Sequence, residues 1–190
     1  MDPDETYQLL RHLTSPIVAV TATHEGRANG QIANSALRAS LVPGMPRVMV
    51  QLARYHLTHD MVLASGAFCL HLLRTEQLEL VYRLGFLSGH DDRRKLQDGE
   101  WRALATGSPV LKNCYAFFDC SLWKAVDMGP STLVVGRILE AGRGSGGGEV
   151  MTSAEWRANM PEEWRPAYEA DLREAQRFAE EYVRQHPETV

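Results

Sequence analysis

The residues best suited to ligand chemistry begin in a segment rich in Gly, Asn and Ser that starts at Gly30. Asn34, Ser35 and Ser40 place amide and hydroxyl groups around a possible strand edge. Such groups can face a heteroaromatic ring, although these residue types also commonly satisfy the backbone of their own turn. The pattern therefore leaves two interpretations open, a ligand edge and an ordinary polar turn.

A second group follows the next strand-like run and has the character of an anion site. Arg54, Tyr55, His56 and Thr58 put a guanidinium ahead of a hydroxyl that is a plausible N-cap. A phosphate there would meet the guanidinium fork and the positive end of a helix. Lys95, in a charged loop, is either a second cation or a solvated surface lysine. Together the two groups predict a site for a flat, phosphorylated ligand.

Several other chemistries lack their motifs. The sequence contains neither GxGxxG after a strand nor GxxxxGK[ST], so a Rossmann or P-loop nucleotide site is not predicted. HExxH and the GxSxG nucleophile elbow are also missing. His56 and His59, three residues apart, permit a metal pair in principle, but no third ligand is evident nearby. We predict no metal, and we name no catalytic residue.

Composition narrows the class of protein. Charged residues make up 23% and hydrophobic residues 44%, as in ordinary globular proteins, and the net charge of −4 argues against a nucleic-acid partner. Cys69, Cys114 and Cys120 have no CxxC spacing and are predicted to be buried, reduced thiols. With neither a signal-like N-terminus nor an apolar run of membrane-spanning length, we expect a cytoplasmic protein that does not bind membranes.

The elements that must position these residues are mostly short strands. Apolar, β-branched runs bounded by Gly and Pro predict strands over 16–23, 31–40, 47–52, 67–73, 110–111, 115–123 and 132–139. Helical spacing predicts short helices over 4–13, 58–65 and 76–87, with a polar loop over 88–95. Because no regular βαβ rhythm is present, the pattern favours a barrel-like antiparallel sheet with helices.

The C-terminal part of the chain differs in character. Thr152 and Glu155 form a capping box after a glycine-rich loop. Farther on, an apolar stripe at helical spacing consists of Trp164, Tyr168, Leu172, Ala175, Ala179 and Tyr182. The stripe must cover either its own barrel or a partner subunit. We predict a domain over 1–143 and a glycine-rich loop with a C-terminal helical extension over 144–190.

The order of motifs resembles the flavin reductase-like family of FMN-binding split barrels. The resemblance covers residues 10–140 and rests on Asn34-Ser35, Ser40 to Pro43, Arg54 to Thr58, Gly66 to Leu73, Ser88-Gly89 with Lys95, Thr106 to Leu111, Asp119-Cys120, Gly129 and Thr132 to Arg137. It implies a homodimeric, six-stranded antiparallel split barrel that binds FMN, or in some members FAD, at the subunit interface.

The same resemblance implies roles for individual residues. Asn34 to Ser40 would run along the isoalloxazine ring and ribityl chain, and Arg54 to Thr58 would hold the phosphate, with Ser88 and Lys95 completing the site. Many members transfer a hydride from NADH or NADPH to flavin and pass the reduced flavin to a monooxygenase. We therefore expect a flavin reductase; a flavoredoxin-like electron carrier and a non-catalytic flavin-binding or sensing protein are the alternatives.

The sequence departs from the family pattern in three places. Tyr55 and His56 stand where small hydroxyl residues are usual, which shifts phosphate binding towards backbone N–H groups. Gly129-Pro130-Ser131-Thr132 replaces the common Gly-Asp-His-Thr, so Ser131 takes the place of a histidine associated with the nicotinamide. His71, where relatives often carry Asn, is expected to be a core or interface histidine.

Overall fold

The computed structural model describes residues 2–10, 12–13, 15–90 and 95–187. The strands are β1 (Val18–His24), β2 (Arg27–Ala33), β3 (Ala36–Arg38), β4 (Arg47–Ala53), β5 (Ala67–Leu72), β6 (Trp101–Ala103), β7 (Pro109–Leu111), β8 (Ala116–Asp127) and β9 (Ser131–Arg143). The helices are α1 (Pro3–Leu10), α2 (Leu57–Ser65), α3 (Leu78–Phe86), α4 (Ser153–Asn159) and α5 (Arg165–Gln185). The prediction of a mainly β protein with helices is confirmed, while residues 91–94 of the predicted polar loop lie outside the described part.

The main sheet has seven antiparallel strands in the order β2-β1-β5-β8-β9-β4-β3, so the expected number of six is wrong. The difference arises where one returning strand was predicted over 31–40. The chain instead pairs with β1 as far as Ala33, breaks at Asn34 and Ser35, and pairs with β4 from Ala36 onwards. The connection between β1 and β2 is also shorter than the gap between the strands predicted over 16–23 and 31–40, since only Glu25 (φ 50°) and Gly26 (φ 75°) separate β1 from β2.

The break at Asn34 and Ser35 forces the sheet to curl. Strands β2 and β3 are the two ends of the strand order, and seven strands leave six gaps, about 29 Å of width in a flat sheet. The chain from Ala33 to Ala36 can span only about 11 Å. The edges must therefore approach each other, which makes the sheet a curled half-barrel. A separate ribbon pairs β6 with β7.

Each face of the sheet carries its own core. Alternate residues of β1 point into different cores. Val18, Val20 and Ala22 belong to the core on the concave face, to which α2 contributes Met61 and Val62. Ala19 belongs to the second core with residues of α3 and α4. The C-terminal part contributes Met151, Trp156 and Met160 to that second core. The domain boundary at 143/144 stays a prediction.

The three cysteines are free and buried, as predicted. Burial raises the pKa of Cys114 to about 11 and that of Cys120 to about 12. Burial, with the Asp119 carboxylate next in importance, raises the pKa of Cys69 still further. Separately, no described helix has the length and apolar character needed to cross a membrane.

His71 is a core histidine. Its Nδ1–H donates to the carbonyl oxygen of Ala19 at 3.2 Å, and the backbone N–H of Leu111 donates to Nε2 at 3.0 Å. Since both ring nitrogens are used this way only by a neutral imidazole, the side chain ties β1 and β7 to β5 without a charge. Burial lowers the pKa of His71 from 6.5 to about 4.

The buried imidazole predicts an acid-sensitive fold. The folded pKa is depressed, so between pH 6.5 and 4 the unfolded chain binds a proton that the folded chain does not. The free energy of unfolding should fall as the pH falls through that window, by about 3 kcal/mol from this residue. Denaturant unfolding at pH 7, 6, 5 and 4 should show a shallower loss in His71→Asn than in the wild type. The partly exposed His24→Asn is the control, and equal slopes in wild type and His71→Asn would contradict the prediction.

Candidate functional site

Two adjoining cavities lie where α2, α3 and α5 approach one another. The first, of about 230 Å³, is lined by Asn29, Thr58, Ser88 and Lys95 among others. The second, of about 160 Å³, is reached by Asn34. Both are bordered by the same five residues, Tyr55, His56, Gly85, Phe86 and Asp171. Six of the nine residues predicted to bind cofactor thus line one continuous region: Asn34, Tyr55, His56, Thr58, Ser88 and Lys95.

The beginning of α2 faces the first cavity and supplies backbone donors. The predicted N-cap, Thr58, is wrong, since the cap residue is His56 and the helix begins at Leu57. His56 makes no side-chain capping bond, so no side chain of its own satisfies the N–H groups of the first turn. Thr58 is fully buried, and its Oγ1 accepts a hydrogen bond from Asn29 Nδ2 at 3.2 Å. The N-terminal turn of α2 is therefore held against β2 with its positive end towards the cavity.

Lys95 is a buried cation and not a solvated surface lysine, with only 3% of its surface exposed. Its ammonium donates to the carbonyl oxygens of Leu84 at 2.9 Å and Gly30 at 3.3 Å. Burial lowers the pKa of Lys95 to about 8, and the nearby Asp171 carboxylate opposes that shift. Among the described residues the ammonium has two acceptors for its three N–H groups, which leaves a donor for an anionic partner.

Tyr55 and His56 form an aromatic wall shared by the two cavities. Their rings lie 4.1 Å apart between centroids, and the Tyr55 ring also contacts Phe178 of α5 at 5.4 Å. Burial first, and the charge of Lys95 second, lower the pKa of His56 to about 4, so its imidazole is neutral at pH 7. Burial and the carboxylates of Asp171 and Glu174 raise the pKa of Tyr55 to about 12. Neither ring carries a charge to a ligand at neutral pH.

Arg54 lines neither of the two cavities. Its Nε donates to the carbonyl oxygen of Gly129 at 2.7 Å, and its guanidinium pairs with Asp127 at 2.8 Å. The hydrogen bond from Arg54 lowers the pKa of the Asp127 carboxyl. Arg54 thus holds the turn after β4 against the segment that precedes β9. In this arrangement Arg54 positions the turn and does not itself line either cavity.

Ser131 lies in that fastened segment and is nearly buried, with 6% of its surface exposed. Its Oγ accepts a hydrogen bond from Gln51 Nε2 at 2.6 Å. The neighbouring Thr132 hydroxyl lies 2.9 Å from Nε2 of the buried His59, whose Nδ1 contacts Asp60 at 2.8 Å. His59 thus contacts a residue of β9, and the described residues contain no cluster of three metal-binding side chains.

The remaining predicted residues lie near a different surface. Ser40 lines an apolar groove of about 430 Å³ whose walls include Leu37, Leu41, Val42 and Phe118. Its Oγ accepts a hydrogen bond from the N–H of Val42 at 3.2 Å, as expected of a polar turn. Ser35 Oγ lies 3.5 Å from the carbonyl oxygen of Gln51. The segment from Asn34 to Ser40 therefore connects the cavities to the groove instead of gathering at one point.

Sequence analysis missed three residues that line the first cavity. Asn29 falls between the strands predicted over 16–23 and 31–40, yet it lies in β2 and is buried. Asp171 and Glu174 come from α5, more than 100 residues after Thr58 in the sequence. The apolar stripe of α5 indicated that the helix covers a surface, but it carried no information on which surface, and so neither carboxylate could be assigned.

Comparison with known proteins agrees with this architecture. A family model described as "Flavin reductase like domain" matches residues 10–155. The FMN reductase (NADH) SmoA of Agrobacterium fabrum is 29% identical over 133 residues, covering 70% of this chain and 72% of the relative. The reductase subunit HsaB of a flavin-dependent monooxygenase from Mycobacterium tuberculosis is 27% identical over 138 residues, covering 73% and 71%. Another curated relative is longer, and the match covers 57% of its length.

Solved structures share the fold. Nitrilotriacetate monooxygenase component B from Mycobacterium thermoresistibile superposes with a TM-score of 0.66 at 24% identity, covering 85% of this chain and 92% of that one. The curled sheet, the region around α2 and Lys95, and the family match over 146 of 190 residues (10 to 155) lead to one conclusion. The chain belongs to the flavin reductase-like family.

Proposed function

We propose that this protein is an FMN-binding flavin reductase that transfers a hydride from NADH or NADPH to flavin. One observation carries the proposal: a buried lysine ammonium and an uncapped helix N-terminus converge on a cavity that continues into the Asn34 segment. Relatives named FMN reductase (NADH) and monooxygenase reductase subunit support the activity and suggest that the reduced flavin supplies a monooxygenase.

The donor set fits a phosphate. Lys95 would neutralise part of its charge, and the N–H groups at the start of α2, with the hydroxyls of Thr58 and Ser88, would donate hydrogen bonds to it. The segment from Asn34 to Ser40 would accompany the ribityl chain and ring towards the apolar groove. FMN itself supplies the hydride acceptor, so the protein needs to bind it, orient it and limit the access of water.

Ser131 bears on how the nicotinamide is used. Its hydroxyl already accepts a hydrogen bond from Gln51, and it offers no imidazole to a cosubstrate. This observation favours a second candidate function, an electron carrier of the flavoredoxin type or a flavin-binding sensor that does not consume NAD(P)H. The two candidates differ in whether nicotinamide is oxidised, which is directly measurable.

We also propose that the protein is a homodimer. The apolar groove carries unusually exposed apolar side chains for a surface, with Leu41 82% exposed and Leu37 59% exposed. A second copy would bury this surface next to Ser40 and so close the ring end of the flavin site. The proposal includes three further parts. FAD could take the place of FMN, the protein would be cytoplasmic, and a partner protein would receive the reduced flavin.

The reductase assignment predicts nicotinamide consumption. Purified protein mixed with FMN and either NADH or NADPH should lower the absorbance at about 340 nm faster than the same mixture without protein. If the protein keeps its yellow colour through gel filtration, the flavin is a tightly bound cofactor. If the protein is colourless but active, the flavin is a substrate. If neither nicotinamide is oxidised above background while FMN still binds, the carrier or sensor function replaces the reductase.

The role given to Lys95 predicts selectivity for the phosphate. Lys95→Met should weaken FMN binding by about 10- to 100-fold, the usual worth of a charge-assisted hydrogen bond, and should leave riboflavin binding nearly unchanged. Because the pKa of Lys95 is about 8, the preference of the wild type for FMN over riboflavin should also fall as the pH rises above 8. Flavin fluorescence quenching measures both ligands. The exposed Lys112→Met is the control, and equal losses for both flavins would argue against a phosphate contact.

The proposed dimer predicts that a charged residue introduced into the groove lowers the mass of the protein in solution. Leu41→Glu should shift the protein from dimer to monomer in sedimentation, since a buried carboxylate would oppose association. Leu63→Glu, on α2 and outside the groove, should leave the mass unchanged. A wild type that sediments as a monomer at micromolar concentration would contradict the dimer itself.

A further inference from the structure

Helix α5 crosses the cavity that is expected to receive the flavin phosphate. Asp171 borders both cavities, and Glu174, one helical turn further on, lines the first cavity together with Lys95 and Thr58. Both carboxylates thus lie beside the groups that a phosphate would use. Lys95 and the N–H groups at the start of α2 favour an anion, and α5 already places carboxylates at this cavity.

The attachment of α5 depends on a few aromatic contacts along one side. Trp164, just before the helix, lies 4.7 Å from Tyr82, and Tyr168 lies edge-on to Phe86 at 6.1 Å. These two contacts hold the first part of the helix to α3.

Beyond the carboxylates, two aromatic side chains in the second half of α5 contact the turn at residues 54–58, here called the phosphate turn. Phe178 lies 5.4 Å from Tyr55, and the Arg54 guanidinium lies 5.5 Å from the Tyr182 ring. None of the residues of α5 is fully buried. An element held by half-buried contacts opens at a low free-energy cost compared with the core.

The charges around Asp171 indicate what the helix does while closed. Burial and Glu174 raise the pKa of Asp171, whereas Lys95 lowers it, and Asp171 in turn raises the pKa of Lys95. Lys95 and Asp171 therefore stabilise each other's charged forms. A phosphate entering beside Lys95 would meet the partly buried carboxylate of Asp171, where repulsion is stronger than in water, and the exposed carboxylate of Glu174.

Tyr55 connects these observations to the sequence. Tyr55 belongs to the phosphate turn and supplies the ring that Phe178 of α5 contacts. The aromatic ring of Tyr55 and the helix α5 that covers the turn therefore act together. Tyr55 is best explained as a docking residue for α5.

We propose that α5 is an internal competitor of the flavin phosphate, with the Asp171 carboxylate bordering the cavity that Lys95 also lines, so that FMN binds only when the second half of the helix is released. The proposal rests on the proposed function and adds an autoinhibitory role for residues 171–182. Riboflavin, which has no phosphate, does not compete with Asp171 and binds with the helix in place.

The test compares two flavins on charge-neutral variants. Asp171→Asn keeps the shape and removes the charge, so FMN should bind about tenfold more tightly, as expected for loss of one close charge repulsion, while riboflavin affinity stays the same. Glu174→Gln should act in the same direction. Glu180→Gln removes a carboxylate from an exposed position of the same helix and is the matched control.

A second readout needs no activity. In the wild type, FMN should speed tryptic cleavage at Arg173 and Arg177 because it displaces the helix, and riboflavin should not. Phe178→Ala, which removes the Tyr55 contact, should cleave rapidly without ligand and bind FMN more tightly. The opposite result, protection of α5 by FMN together with weaker FMN binding in Asp171→Asn, would show a lid that seals the ligand in and would overturn the proposal.

The remaining outcomes separate this inference from the function on which it rests. If FMN and riboflavin bind the wild type and Asp171→Asn with unchanged affinities, the competitor role is wrong and the flavin site stands. If neither flavin binds any variant, the proposed function fails and the competitor role fails with it.

Discussion

The short reach of the chain between Ala33 and Ala36 is the constraint on which the site depends. It joins opposite edges of the seven-stranded sheet and so closes the half-barrel. Because β3 leads directly to β4, the turn that follows β4 is brought back beside β2. Asn34 and Tyr55, distant in sequence, thereby border the same cavity. The position of the ligand region follows from strand connectivity more than from any single side-chain contact.

Within that region one buried cation faces several groups that compete for it. Lys95 donates to two backbone carbonyls and is electrostatically coupled to Asp171. Such a lysine is costly to bury without anionic company, and α5 supplies the company within the same chain. Under the proposed function, the same ammonium would stabilise the protein without ligand through Asp171 and would also attract the phosphate, so these two effects would oppose each other.

The sequence predicted the local features well and the long-range ones poorly. Apolar runs identified most strands, and the family motifs marked Thr58, Ser88 and Lys95, which do share a cavity. The pattern over 31–40 could not reveal the edge change at Asn34, because residues on both sides of the break look equally strand-like. Lys95 follows a run of charges and resembled a surface residue, although packing buries it. Asp171 depended on where a distant helix docks, which no local pattern encodes.

The cysteines acquire a different meaning in a protein that handles reduced flavin as proposed. Reduced flavin reacts with dioxygen to form peroxide, and peroxide oxidises thiolates much faster than thiols. All three cysteines are buried, and their raised pKa values leave almost no thiolate at neutral pH. The core packing thus also gives the protein chemical resistance to the by-product of its own proposed reaction.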